Sequence, residues 1–134
     1  MRKIRILILL LSFLIGVGCG NKKQGNTPEK LSDTEVSFTK TLHNFGDIAE
    51  GEVVSHTFHF KNTGKESFII RNIVSGCGCT TVNYDKAPLP PGKEGKLEIT
   101  FNSSGRYGKQ YKEISIFANV PKKEIKLKYI ANVK

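Results

Sequence analysis

Short apolar–polar alternations, each closed by a turn signal, constrain this chain more than anything else in it. Val54, His56, Phe58 and Phe60 alternate with Ser55, Thr57, His59 and Lys61. A strand turns successive side chains to opposite faces, so this pattern makes one face apolar and leaves the other to solvent. Leu97, Ile99 and Phe101 alternate with Lys96, Glu98 and Thr100, and Ile114 and Ile116 with Glu113 and Ser115. Ile125, Leu127, Tyr129, Ala131 and Val133 alternate with Lys126, Lys128, Ile130 and Asn132. Phe68 to Val74 is a further strand whose alternation slips near Arg71, the mark of a bulge. Thr80 to Tyr84 is a short strand, and Val36–Phe38 with Leu42 to Phe45 forms a first extended segment ending at the Gly46-Asp47 turn. Asn62-Thr63-Gly64-Lys65 and Ser103-Ser104-Gly105 supply turns. Pro88-Leu89-Pro90-Pro91-Gly92 reads as a connection, because proline has no ladder donor.

About seven strands at even spacing, with no helical period, predict an all-β fold, an Ig-like β-sandwich. The chain has no Trp, and its two domain cysteines, Cys77 and Cys79, stand almost side by side. An antibody-type domain, with Trp packed on a disulfide between sheets, is therefore excluded.

Ahead of the strands lies an address. Arg2, Lys3 and Arg5 precede an apolar run from Ile6 to Ile15, and small residues follow up to Cys19. This is the layout of a secretory signal over residues 1–18. The run is shorter than the roughly 20 residues a spanning helix needs. Gly16-Val17-Gly18-Cys19 resembles a bacterial lipobox, with Gly16 departing from the usual Leu. That resemblance implies acylation of Cys19 (diacylglyceryl, with palmitate-type chains) and cleavage before it; the alternative is an ordinary cleaved signal with a chance cysteine. Residues 19–35 read as the lipidated N-terminus and a polar, flexible tether, and 36–134 as the sandwich domain.

Formal charge is +9, but three of the 21 cations lie in the leader, leaving 18 against 12 acids, a net of +6. Such an excess favours anionic lipid or polysaccharide, and an export signal argues against nucleic acid. More often such an excess is only a solvated surface.

Phe45-Gly46-Asp47-Ile48, Phe58 to Gly64, Ser75-Gly76-Cys77-Gly78-Cys79-Thr80-Thr81 and Leu89-Pro90-Pro91-Gly92 together resemble a known family. It is the bacterial cell-envelope domain of unknown function fifteen-seventy-three. The resemblance implies an Ig-like sandwich, commonly on lipoproteins or secreted chains, and related to sandwich modules of cilia and sperm proteins. It implies no activity, cofactor or catalytic residue.

Cys77-Gly78-Cys79 carries the remaining chemistry. In an oxidising compartment two nearby thiols tend to pair. In an extended chain residues i and i+2 stand roughly 6.6 Å apart, at the upper edge for a disulfide, and Gly78 can fold the backbone to shorten the gap. The pair has three readings: a tight corner between sheets, a labile disulfide for thiol exchange, or a soft-metal (copper) site. His56 and His59 face opposite sides of one strand and cannot both join a metal site; His43 lies nearer the domain's edge. His56, on the face of Phe58 and Phe60, reads as a core or rim histidine, and His59 as solvent-facing. Lys122, Lys123, Lys126 and Lys128 suggest a basic strip or simple edge protection.

No phosphate loop or nucleophile elbow appears. The sequence therefore predicts a non-enzymatic, lipid-anchored module on the periplasmic side of the envelope. Its expected partners are membrane lipid through Cys19 and another envelope protein or glycan through the domain.

Overall fold

The computed structural model describes residues 34–134; the leader, Cys19 and most of the tether lie outside the described residues. Eight strands follow one another: β1 (Val36–Phe38), β2 (Leu42–Ile48), β3 (Val53–Asn62), β4 (Ile70–Ser75), β5 (Thr80–Tyr84), β6 (Glu94–Asn102), β7 (Gly108–Ala118) and β8 (Glu124–Val133). They form two four-stranded sheets, ordered β1-β3-β6-β5 and β2-β8-β7-β4. Every pairing is antiparallel except β2 with β8.

The period-two pattern is the cause of this arrangement. Leu97, Ile99 and Phe101 of β6 and Ile114, Ile116, Leu127 and Tyr129 of β7 and β8 are all fully buried. They join Phe58, Phe60 and Phe68 in one core between the sheets. Each such side chain contributes roughly 1.5–3 kcal/mol through its removal from water. The polar residues between them, such as Lys96, Glu98, Lys126 and Lys128, stay exposed on the outer faces.

Three details depart from the sequence reading. The first extended segment is two strands in different sheets, because the chain bends at Thr39–Thr41 and crosses from one layer to the other, which brings the count to eight. β2 also runs past Gly46 to Ile48: Gly46 takes a left-handed φ of 74° at a bulge, its N–H bonded to Asn44 Oδ1. The third departure is at Phe68 and Leu89. Phe68 precedes β4 rather than opening it, and its N–H and C=O bond reciprocally with Leu89 inside the proline-rich connection, each at 2.9 Å. Leu89 is the one residue of that connection's Pro-Leu-Pro core that keeps an N–H. The slip near Arg71 is present as a register shift between Ile70 and Asn72.

Asn62 locks this region. Its buried amide donates to the carbonyls of Glu66 and Leu89, and its oxygen accepts from Gly64 N–H. Opposite Phe60 stands Gly95, where a Cβ would lie 2.6 Å from the ring. The missing side chain is what lets that ring lie across β6.

Candidate functional site

The stretch singled out by its thiols forms the crossover between the two layers. β4 is an edge strand of one sheet and β5 of the other, and Gly76–Cys79 carries the chain between them. Ser75 Oγ is shared between the carbonyls of Cys77 and Thr80, at 3.3 and 3.2 Å. Asn102 N–H donates to Cys79 C=O at 3.0 Å, extending the β5–β6 ladder into the corner. Cys77 and Cys79 are joined by a disulfide with Cα atoms 5.3 Å apart, well inside the extended separation. Gly78 reaches this geometry without a left-handed φ, and a Cβ there would meet nothing within 4 Å. The turn, rather than any special freedom of Gly78, shortens the gap.

Both cysteines are half-buried. Cys79 packs against the core and Cys77 does not, so Cys77 is the outer sulfur. Between them and the interior lies Thr80, whose Oγ1 stands 3.6 Å from Cys77 Sγ and 3.9 Å from Cys79 Sγ. The same oxygen is hydrogen-bonded to the hydroxyl of the fully buried Tyr129. Burial pushes the Tyr129 pKa up, with the positive charge of Arg106 pulling against it. The phenol therefore keeps its proton. Arg106 belongs to the loop that starts just after Asn102, at this end of the sandwich, and its buried Nε has no hydrogen-bond partner among the described residues.

The histidines gather elsewhere. His43 of β2 faces inward, as Tyr129 beside it does, and its ring stacks on that of His56 with centroids 3.6 Å apart and planes 7° from parallel. Phe45 and Phe58 meet the pair edge-on. Burial holds both imidazoles below their usual pKa, helped by Lys40 at His43 and by His43 itself at His56. His59 is exposed on the outer face. β2 and β4 are opposite edges of one four-stranded sheet, about 14 Å apart at strand spacing, so His43 cannot complete a metal site with Cys77. Among the described residues no three His, Cys, Asp or Glu side chains gather as metal ligands.

A third feature occupies the outer face of the β2-β8-β7-β4 sheet. Leu42, Val74, Tyr111 and Phe117 are exposed there, Tyr111 by 67% of its surface. Register places Tyr111 beside Ile130, and Val74 beside Ser115, diagonal to Phe117. Between these apolar ends lies a charged row in which Glu113 bonds Lys126 at 2.7 Å and sits 3.7 Å from Lys128. The basic strip expected from the lysines is thus partly neutralised by Glu113.

Two stacked four-stranded sheets, one wholly antiparallel and the other antiparallel except for its β2–β8 edge pairing, form an Ig-like, PapD-like sandwich. Residues 36–133 match the family described as Protein of unknown function (DUF1573), and the chain belongs to it. A protein of unknown function from Porphyromonas gingivalis W83 is similar in structure, with a TM-score of 0.68 and 20% identity over 80% of this chain and 51% of that one. The PapD-like domain 7 of human CEP192 gives a TM-score of 0.61 and 12% identity, over 76% of this chain and 87% of that domain. The secreted serine protease VesC of Vibrio cholerae gives 0.59 and 14%, over 78% of this chain. The chain spans about half the Porphyromonas protein and only 23% of VesC, so these likenesses concern the sandwich alone. No curated protein matches the sequence.

Sequence reasoning had singled out the thiols and His56 but not what they touch. Thr80 and Tyr129 lie 49 residues apart, and their meeting depends on how the layers stack. Tyr111 and Phe117 were legible in principle, since both have the parity opposite to Ile114 and Ile116.

Proposed function

We propose that this protein is a docking module of the bacterial envelope, held to a membrane by acyl chains on Cys19 and presenting its sandwich on the tether of residues 19–35. Two or more acyl chains give stable anchoring, whereas one alone is reversible. The residues just after Cys19 carry no acidic run of the kind associated with surface export, which favours the periplasmic side.

The observation that carries the docking role is the outer face of the β2-β8-β7-β4 sheet. Aromatic side chains are enriched in protein interfaces because they bring large, stiff contact area at little entropic cost. Here Tyr111 and Phe117 stand exposed at the two ends of a row of charge formed by Glu113, Lys126 and Lys128. The favoured occupant is another envelope protein with an apolar patch and an acidic group that replaces Glu113 as the partner of Lys126. Crosslinking in intact envelopes, followed by capture of the full chain, tests this. The expected result is a reproducible protein partner that is lost in the Tyr111→Ala/Phe117→Ala double variant and retained in Glu98→Ala, on the opposite outer face. Capture that is unchanged in the double variant, or only of glycan, contradicts it.

A further inference from the structure

We propose that the Cys77–Cys79 disulfide is a thiol-exchange site for a protein dithiol, with Cys77 as the sulfur that exchanges and Thr80 as the hydroxyl that stabilises the thiolates. This is separate from the docking role, which uses the outer face of a sheet and no sulfur.

Stability offers little reason for the bond. A disulfide acts largely by closing a loop in the unfolded chain, and this one spans only residues 77–79. The corner is already held by hydrogen bonds from Ser75 and Asn102.

The surroundings suit sulfur anions. Tyr129 is fully buried, and its hydroxyl has Thr80 Oγ1 as its hydrogen-bond partner among the described residues. A buried phenol keeping its proton donates it to the acceptor it has. The disulfide sulfurs carry no hydrogen, so toward them Thr80 can only donate, with both Sγ atoms within 3.9 Å, and its Oγ1 then accepts from Tyr129. Arg106 adds positive charge beside Tyr129 at the same end of the sandwich, with its Nε unpartnered among the described residues. Hydrogen-bond donors and nearby cations favour the thiolate over the thiol.

The exchange balances as follows. A thiolate of the partner dithiol attacks Cys77 Sγ, the sulfur outside the core. A new S–S bond forms, the Cys77–Cys79 bond breaks, and its electron pair leaves on Cys79 Sγ beside the Thr80 hydroxyl. The partner's second thiolate then attacks its own sulfur in the mixed disulfide and releases Cys77 as a thiolate. The partner leaves oxidised to a disulfide, and this protein takes two electrons and two protons. In the reverse course the Cys77 thiolate attacks a partner disulfide, one partner sulfur leaves as a thiolate, Cys79 then displaces the other from Cys77, and the partner leaves as a dithiol while the Cys77–Cys79 bond re-forms. Thr80 touches the reacting sulfurs, while Tyr129 acts through Thr80 and is a positioning residue.

The test uses the full chain in glutathione and dithiothreitol redox buffers, with Cys77 and Cys79 quantified by alkylation and peptide mass. The expected result is reversible reduction while the far-ultraviolet spectrum stays that of the folded sandwich. In the reduced protein, the alkylation rate of Cys77 should rise with a midpoint below that of a free thiol. Thr80→Val, close in shape, should move that midpoint upward and shift the oxidised-to-reduced ratio at least threefold toward disulfide. Thr80→Ser should restore both, and Tyr129→Phe should give a smaller shift in the Thr80→Val direction. A disulfide that dithiothreitol reduces only after urea unfolds the chain overturns the proposal. An alkylation profile unchanged by Thr80→Val, in a variant that still folds, overturns it equally.

Discussion

Asn62 shows how much of this fold rests on single polar side chains. It is fully buried, and three hydrogen bonds to the backbone of Glu66, Leu89 and Gly64 replace the water it gave up. Removing one partner of a buried hydrogen bond leaves the other with its full desolvation cost. Asn62→Ala should therefore lower stability by about 2–4 kcal/mol, measured as a shift of the urea midpoint at unchanged slope. Gly78 makes the opposite case. With no left-handed φ and open space at its Cβ position, Gly78→Ala should change stability by less than about 0.5 kcal/mol and leave the disulfide formed. His43 and His56 set the acid limb of stability. Burial lowers both pKa values from 6.5, so the unfolded chain binds more protons than the native one in the mildly acidic range. Their contribution is complete above pH 6.5 and is lost as pH falls through the folded values, where two stacked rings would both carry charge. Glu113 and Asp47, lowered chiefly by hydrogen bonds from Lys126 and Asn132, act in a separate and more acidic window. Thermal unfolding followed between pH 7.5 and pH 5 (the approximate range over which unperturbed histidine charges) should show a falling midpoint that flattens in His43→Phe/His56→Phe.

Among the elements, the long strands were the legible ones. In β3, β6, β7 and β8 the alternation of Phe58, Ile99, Ile114 and Leu127 with polar neighbours continues for most of each strand, so both faces and the core follow from residue parity. The slip at Arg71 was visible because a bulge breaks that parity. The division of the first segment into β1 and β2 was not, because Val36–Phe38 and Leu42 to Phe45 are both extended and nothing local says which sheet each joins. Leu89 was hidden for a related reason: prolines on both sides mask an N–H whose partner, Phe68, lies 21 positions back. Of the candidate site, the thiols stood out in sequence, whereas Thr80–Tyr129 and His43–His56 exist only through pairing of distant strands. One element-level contact can be tested directly. Gly95→Ala places a Cβ 2.6 Å from the Phe60 ring within the β3–β6 pairing, and overpacking of this kind should cost about 1–3 kcal/mol. A midpoint equal to wild type in urea would mean that the ring has room the structure does not give it.

At the scale of the molecule, the two sheets leave different surfaces to the outside. The outer face of β1-β3-β6-β5 displays short polar pairs such as Ser55 with Thr100, bonded at 2.8 Å. The outer face of β2-β8-β7-β4 displays Leu42, Val74, Tyr111 and Phe117 around a charged row. Exposed ion pairs of that row add little to stability, so Glu113→Gln should leave the urea unfolding midpoint at its wild-type value. The same change frees Lys126 and Lys128 and should strengthen capture of an acidic partner. The docking account is tested most directly by placing a photoreactive side chain in the full chain at Tyr111, at Phe117 and, as control, at Glu98, then irradiating intact envelopes. It predicts one discrete protein adduct from positions 111 and 117 and none from 98; no adduct at either aromatic position, or equal adducts at all three, would contradict it.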